Sequence, residues 1–213
     1  MHRVIVDRRE ALVGATALLV APEALWAQRA LVVTPGQTEG PFYPSALPAD
    51  KDWDLVRVQG RASQAAGRVT LISGRVLDKR GQAVAGARVE IWQCDANGIY
   101  NHPGDSGLRR RDAAFQGYGH ASVDGSGRYA FRTIRPVAYP GRTPHIHFKV
   151  HAPGAGALTT QMYVDGEAQN QRDGVLRSIR DPLARQSVIV GLATGDDIEA
   201  GALKGTFDIV LDL

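Results

Sequence analysis

The chain has 213 residues, 44% hydrophobic and 22% charged, with a net charge of +3. That is the size of one globular domain with room for a targeting segment, and a body of about 180 residues buries roughly 70% of its unfolded surface without disulfide staples. The small charge and scattered basic residues exclude a nucleic-acid-binding role, because the one tight run, Arg109-Arg110-Arg111, is closed by Asp112 and reads as a solvated loop. Cys94 is the only cysteine, so no intrachain disulfide forms and the redox compartment is left open.

The N-terminus differs from the rest. Asp7-Arg8-Arg9-Glu10 precedes the uncharged stretch Ala11 to Ala21, which is too short to span a bilayer and has the length of a signal-peptide apolar region. The paired arginines resemble a twin-arginine export signal, with a cleavage point after Ala27 made imperfect by Leu25. The expectation is an exported protein, periplasmic or secreted, with residues 1–27 removed and no membrane contact in the mature form.

Residues 28–69 read as an N-terminal lead-in segment and residues 70–213 as the main domain. Thr70 to Asp78 and Ala87 to Asp95 are strand-like runs joined by the turn-like Lys79-Arg80-Gly81-Gln82. Asp124-Gly125-Ser126-Gly127 predicts a hairpin turn leading into Gly127 to Ile134, where Tyr129 and Phe131 alternate with Arg128 and Arg132. His145 to His151 alternates too, with Ile146, Phe148 and Val150 on one face. Residues 165–186 read as a long polar loop with a helical turn. A final strand is expected over Thr206 to Leu213. Short alternating strands with 24 glycines and 11 prolines between them predict an all-β fold, an antiparallel β-sandwich with long irregular loops.

The sharpest local signal is His145-Ile146-His147. Side chains of a strand repeat every second residue, so both imidazoles share a face, with Cα atoms about 6.5–7 Å apart. Two nitrogens at that spacing can converge on one metal, but a pair of polar residues on a solvated strand face has the same pattern. His151 shares the face about 13 Å further on, too far for the same ion. Tyr139-Pro140-Gly141-Arg142-Thr143-Pro144 runs straight into this strand, and its prolines restrict the loop, so Tyr139 and Arg142 are held beside the histidines. Gly98-Ile99-Tyr100 follows the strand ending at Asp95. Each tyrosine, taken alone, also fits a packing role.

Four segments in order resemble the intradiol aromatic-ring-cleaving dioxygenases, which include protocatechuate 3,4-, catechol 1,2- and hydroxyquinol dioxygenases. They are Thr34-Pro35-Gly36-Gln37-Thr38-Glu39-Gly40-Pro41-Phe42-Tyr43-Pro44; Gly74-Arg75-Val76-Leu77-Asp78 through Trp92-Gln93-Cys94-Asp95 to Gly98-Ile99-Tyr100; Tyr139-Pro140-Gly141-Arg142-Thr143-Pro144-His145-Ile146-His147-Phe148; and Phe207-Asp208-Ile209-Val210-Leu211. The resemblance implies a non-haem Fe(III) held by Tyr100 and His145 as equatorial ligands and by Tyr139 and His147 as axial ones. Arg142 and Gln161 match an arginine and a glutamine standing behind that set. It further implies that Tyr139 leaves the metal and takes a proton from the substrate, a small aromatic diol. Both atoms of O2 then enter the product, a muconate-type diacid.

The chemistry suits the residues. Ferric iron is a hard acid that prefers anionic oxygen, and two phenolates with one hydroxide balance its three charges in a buried pocket. No Gly-rich dinucleotide fingerprint follows a strand, in keeping with a reaction whose substrate supplies the electrons. Two other readings compete. Gly74-Arg75-Val76-Leu77-Asp78 with Gly86-Ala87-Arg88-Val89 also looks like transthyretin-like sandwiches, which are binding modules without a tyrosine/histidine metal set. A zinc hydrolase would use the histidine pair with a third ligand such as His102 or His120. The residues leave open which catechol derivative is cleaved and whether the chain forms a homo-oligomer; Tyr43, Trp53, Ser187 and Val188 are candidates for the pocket wall.

Overall fold

The computed structural model describes residues 31–213, so the expected export signal over residues 1–27 lies outside the described residues. In chain order the elements are β1 (Val69–Asp78), β2 (Arg88–Trp92), β3 (Tyr118–Ser122), β4 (Arg128–Ile134), β5 (His145–His151), β6 (Ala157–Val164), α1 (Gly174–Ser178), α2 (Pro182–Ser187), β7 (Ile189–Val190), β8 (Ala193–Thr194), β9 (Leu203–Thr206) and β10 (Ile209–Leu211). Two five-stranded sheets face each other. In the first, β1 pairs with β4 along one side and with β9 and β10 along the other, and β8 follows β9. The second runs β3-β2-β5-β6-β7.

The sandwich predicted from alternation is therefore present, and its sheets are mixed. β1 runs parallel to β9 and β10, and β6 parallel to β7. The inward faces are apolar: Ile72, Val76 and Phe131 of the first sheet meet Val89, Ile91, Ile146, Phe148 and Met162 of the second, all fully buried. Burial of such side chains contributes about 1.5–3 kcal/mol each.

Two local expectations need correction. The 124–127 turn does not close a hairpin within one sheet: it carries the chain from β3 in the second sheet to β4 in the first. Thr206 to Leu213 is not one strand. It breaks at Phe207-Asp208, where the Phe207 carbonyl turns inward to accept the Tyr129 hydroxyl at 2.5 Å. Asp208 Oδ1 accepts the Arg75 amide at 2.8 Å, replacing the missing ladder partner. The break needs Gly74 beneath it, since a Cβ there would stand 1.9 Å from the Phe207 oxygen. The polar stretch 165–186 contains the short helices α1 and α2, capped by Asp173 and Asp181.

The lead-in segment positions the site. Thr34 exchanges hydrogen bonds with Val210 at the edge of the first sheet (2.9 Å each). The chain then crosses to the second sheet, where the Gln37 amide reaches Thr159. Tyr43 donates to the buried Glu90 at 2.8 Å, and Lys149 pairs with Glu39 at 2.6 Å. The outer face of the second sheet, which a sandwich would leave to water, is thus covered. Among the described residues no helix is long and apolar enough to cross a membrane.

Candidate metal centre

The covered face of the second sheet is where the histidines stand. Ile146 and Phe148 of β5 enter the core, while His145 and His147 point the other way and are each only 2% exposed. The solvated-face alternative is thereby removed. Register places Trp92 and Gln161 on either side of His147, and Tyr163 opposite His145.

Two loops bring the tyrosines to the same place. Asp95 ends the β2 run and organises the first: its carboxylate accepts the amides of Asn97, Ile99 and Asp112. Gly98 at φ +75° supplies the left-handed residue of that turn. In the second loop the Arg142 amide bonds the Tyr139 carbonyl at 2.9 Å. Pro140 and Gly141, with φ +82° at Gly141, occupy the central positions that a type II turn requires.

The four rings form one cluster. Centroids are 4.8 Å apart for His145 and His147, 5.5 Å for Tyr139 and His145, 5.7 Å for Tyr100 and Tyr139, and 6.1 Å for Tyr100 and His147. His145 Nδ1 lies 2.6 Å from the Thr143 carbonyl. A carbonyl only accepts, so the proton sits on Nδ1 and the Nε2 lone pair is free. That Nε2 faces His147 Nε2 at 3.2 Å. Two nitrogens bound to one ion at about 2.1 Å, at near right angles, stand roughly 3 Å apart, so the pair has the spacing of a chelate.

Two polar atoms of the cluster stand apart from these contacts. His147 Nδ1 is buried without a hydrogen bond, and Tyr100 Oη has none of regular geometry, with the Tyr139 hydroxyl beside it, a condition that native interiors rarely tolerate without a reason. Burial raises the Tyr100 pKa well above that of an ordinary phenol. Burial raises Tyr139 as well, opposed by the nearby Arg142 guanidinium. His145 is pushed down to about 4 by burial and Arg142, and His147 well down by burial, His145 and Arg142. Neutral imidazoles beside phenols make a donor set of two nitrogens and two ionisable oxygens, which fits a hard, highly charged cation. Among the described residues no group of three His, Cys, Asp or Glu side chains comes together; His102 instead accepts the Gly104 amide at 3.0 Å.

Arg142 and Gln161 stand directly behind the cluster. Arg142 donates from Nε to Asp173 (2.8 Å), from Nη2 to Gln161 Oε1 (2.5 Å) and from Nη1 toward the Tyr139 hydroxyl (3.5 Å). Gln161 Nε2 donates to the Thr38 carbonyl at 3.0 Å, tying the lead-in segment to the site. Three residues of this surround were not singled out from sequence: Asp173, Tyr163 and Trp92, which lies flat on His147. For Asp173 the available signal was Asp-Gly-Val at a helix start, and for Trp92 the strand register opposite His147.

A cleft of about 210 Å³ opens beside Tyr100, lined by Phe42, Trp92, Asn101, Leu108 and Tyr118 among others. None of Tyr43, Trp53, Ser187 and Val188 lines it. Tyr43 packs edge-on against Trp92, Val188 is in the core, and Trp53 lines a different surface groove.

A family model described as Dioxygenase matches residues 38–213. The protocatechuate 3,4-dioxygenase beta chain of Burkholderia cepacia is 35% identical over 179 residues, covering 80% of this chain and 76% of that one. The hydroxyquinol 1,2-dioxygenase of Corynebacterium glutamicum is 30% identical over 173 residues, covering 70% of this chain and 56% of the relative. The chain thus spans only about half of that second relative. Among solved structures, the dioxygenase domain of a dioxygenase–carbohydrate-binding protein fusion from Streptomyces sp. SirexAA-E superposes with a TM-score of 0.66 at 32% identity, over 85% of this chain and 99% of that one. With this fold, these matches and this site, the chain belongs to the intradiol ring-cleaving dioxygenases. The family is one of enzymes, and the transthyretin-like binding module falls away.

Proposed function

We propose that this chain opens a catechol-type ring between its two hydroxyl-bearing carbons, adding both atoms of O2 to give a muconate-type diacid, with a non-haem Fe(III) held by Tyr100, Tyr139, His145 and His147. The observation that carries the reading is the convergence of two phenols and two neutral imidazoles in a buried cluster, with facing Nε2 atoms 3.2 Å apart and a Tyr100 Oη that makes no hydrogen bond of regular geometry. When bound, the ferric ion would ionise the phenols and act as a Lewis acid toward the substrate oxygens.

The protein's own groups divide the remaining work. Tyr100 is 2% exposed and fixed on a carboxylate-organised turn, so it is a permanent anchor. Tyr139 is only half-buried, at the first position of a tight turn, and is the phenol that can swing away and accept a proton from a substrate hydroxyl. Arg142 Nη1 stands beside that oxygen and stabilises negative charge there and on the ring. Gln161 holds the guanidinium. Trp92, Phe42 and the lead-in segment exclude water. No external reductant is required, because the ring is oxidised by the oxygen it incorporates.

The cleft beside Tyr100 supports a narrower substrate class. Among the described residues its lining contains no Lys, Arg, Asp or Glu, and its one basic residue, His102, has Nδ1 engaged by the Gly104 amide, so an ionised carboxylate buried there would carry a large desolvation cost. The substrate is a catechol without a carboxylate. Export by the twin-arginine route is part of the same proposal, supported by Arg8-Arg9 ahead of the apolar stretch.

Purified protein loaded with ferric iron should be coloured by phenolate-to-iron absorption. It should consume one O2 per catechol and yield a ring-opened diacid by mass spectrometry. A colourless protein binding stoichiometric zinc, or no oxygen uptake with any of a panel of catechols, overturns the assignment.

A further inference from the structure

Arg142 has three donor nitrogens and unequal partners for them. Nε meets Asp173 Oδ2 at 2.8 Å and Nη2 meets Gln161 Oε1 at 2.5 Å, whereas Nη1 is 3.5 Å from Tyr139 Oη. The Gln161 oxygen is itself fixed, because its amide nitrogen is engaged by the Thr38 carbonyl and the Tyr163 hydroxyl approaches the oxygen at 3.0 Å. Two sides of the planar guanidinium are therefore clamped and the third is presented to the tyrosine. Asp173 is the charged half of that clamp.

Its geometry goes beyond capping a short helix. Asp173 is 1% exposed and accepts four hydrogen bonds. Oδ1 takes the amides of Val175 and Leu176 (2.9 Å each), as an N-cap does; Oδ2 takes the Thr143 amide (3.0 Å) and Arg142 Nε. Thr143 is the residue whose carbonyl fixes the His145 proton. Burial alone would push the Asp173 carboxyl up, but the amides of Leu176 and Thr143 and the Arg142 charge hold it below the ordinary range.

We propose that Asp173 is a positioning residue for the reaction: it orients Arg142 so that Nη1 alone faces Tyr139 Oη, and it does so through the oxygen that the helix cap leaves free. The inference rests on the role given above to Arg142. Asparagine caps helices as well as aspartate, but in Asp173→Asn the oxygen kept by the helix leaves an NH2 group facing the Arg142 and Thr143 donors. The cap survives and the clamp does not.

The test is a double-mutant cycle of Asp173→Asn and Arg142→Gln on the iron-loaded full chain, read by iron content, visible spectrum, kcat and KM well below the unfolding temperatures. Asp173→Asn should keep full iron, shift the phenolate-to-iron band toward that of Arg142→Gln, and lower kcat about ten- to hundredfold with KM within about threefold, as expected for a misaligned group. In the Arg142→Gln background it should do nothing further. Losses that multiply in the double variant, or a wild-type band and kcat in Asp173→Asn, overturn the proposal. Should Asp173→Asn fail to fold, Arg142→Lys keeps the charge but cannot span Asp173 and Gln161 at once; it should shift the band and lower kcat, and a wild-type result overturns the clamp. Coupled band shifts in a protein that cleaves no catechol would sink the proposed function while leaving the Asp173–Arg142 relationship standing.

Discussion

Trp92 lies flat against His147, with ring centroids 4.7 Å apart and planes 12° from parallel. The indole fixes the plane of an imidazole whose Nδ1 has no hydrogen-bond partner, so stacking takes the place of the polar contact that orients most metal-binding histidines. Trp92→Phe should keep most of the site. Trp92→Ala should weaken ferric binding about 10- to 100-fold and lower stability by about 3–5 kcal/mol, since a fully buried ring is lost. Iron competition with a chelator and thermal unfolding read the two effects separately; unchanged iron affinity in Trp92→Ala would show that His147 is held by the strand alone.

Tyr139→Phe and His147→Ala should separate the roles of two of the proposed ligands. The first keeps iron, since Tyr100 and both histidines remain, but slows turnover and impairs removal of the second substrate proton. The second loses iron. Wild-type rates in Tyr139→Phe count against its role as base, and stoichiometric ferric iron in His147→Ala removes that residue from the set.

Iron uptake should release protons. Burial keeps both phenols protonated at neutral pH, with pKa values above the usual range, whereas His145, pushed down to about 4, and His147 are already neutral. Each phenol gives up its proton when it binds, and the hydroxide that completes the charge balance gives up one more, so apparent affinity strengthens as pH rises from about 5 to 8, with at least about two protons released per ion. A pH-indicator titration with chelated ferric iron measures the stoichiometry. Uptake without proton release would mean that the tyrosines do not ligate.

On substrates, catechol and its uncharged derivatives should exceed protocatechuate in kcat/KM by at least about a hundredfold, because the cleft offers a carboxylate no lysine or arginine. Leu108→Arg, which places a cation in the lining, should narrow the gap. Equal efficiency of wild type on the two substrates would move the ring away from this cleft.

Arg132 joins three segments: its Nη1 donates to both Asp54 oxygens (3.0 Å each), and its Nε and Nη2 pair bidentately with Glu199 (2.8 and 2.9 Å). Arg132→Ala strands two partly screened carboxylates and should cost about 2 kcal/mol, lowering the unfolding midpoint by roughly 4–8 °C with kcat unchanged. The Arg132 hydrogen bond depresses the folded pKa of Glu199, so its contribution is present above about pH 4.5 and fades as pH falls through the folded value.

What could be read from the chain follows from how local each signal is. The bounds of β5 came directly from alternation, because period-2 patterning is a property of neighbours. The stiffness of the Tyr139–Pro144 loop was legible from its prolines, though not the tight turn it makes. The four-residue cluster was not derivable from spacing and came through the resemblance, since Tyr100 reaches it by folding. Asp173 was hidden: its capping role is local, but its bond to Arg142 joins positions 31 residues apart. Trp53 and Val188 lie away from the cleft beside Tyr100, and nothing near them in sequence records which layer each one faces. The break at Phe207-Asp208 was equally invisible, since it answers to Gly74 in another strand.

That break belongs to a strand arrangement with a consequence for synthesis. β1 is complete once residue 78 is made, yet the neighbours on one of its sides are residues 203–211, and the lead-in segment joins the same edge at Val210. At about 5–20 residues per second, the first sheet waits on the order of ten seconds with an unpaired side. The strap that buries His145 and His147 cannot seat until then. A nascent chain stalled before residue 203 should therefore remain protease-sensitive throughout the lead-in, and the proposed metal should enter only after the last strands have left the ribosome.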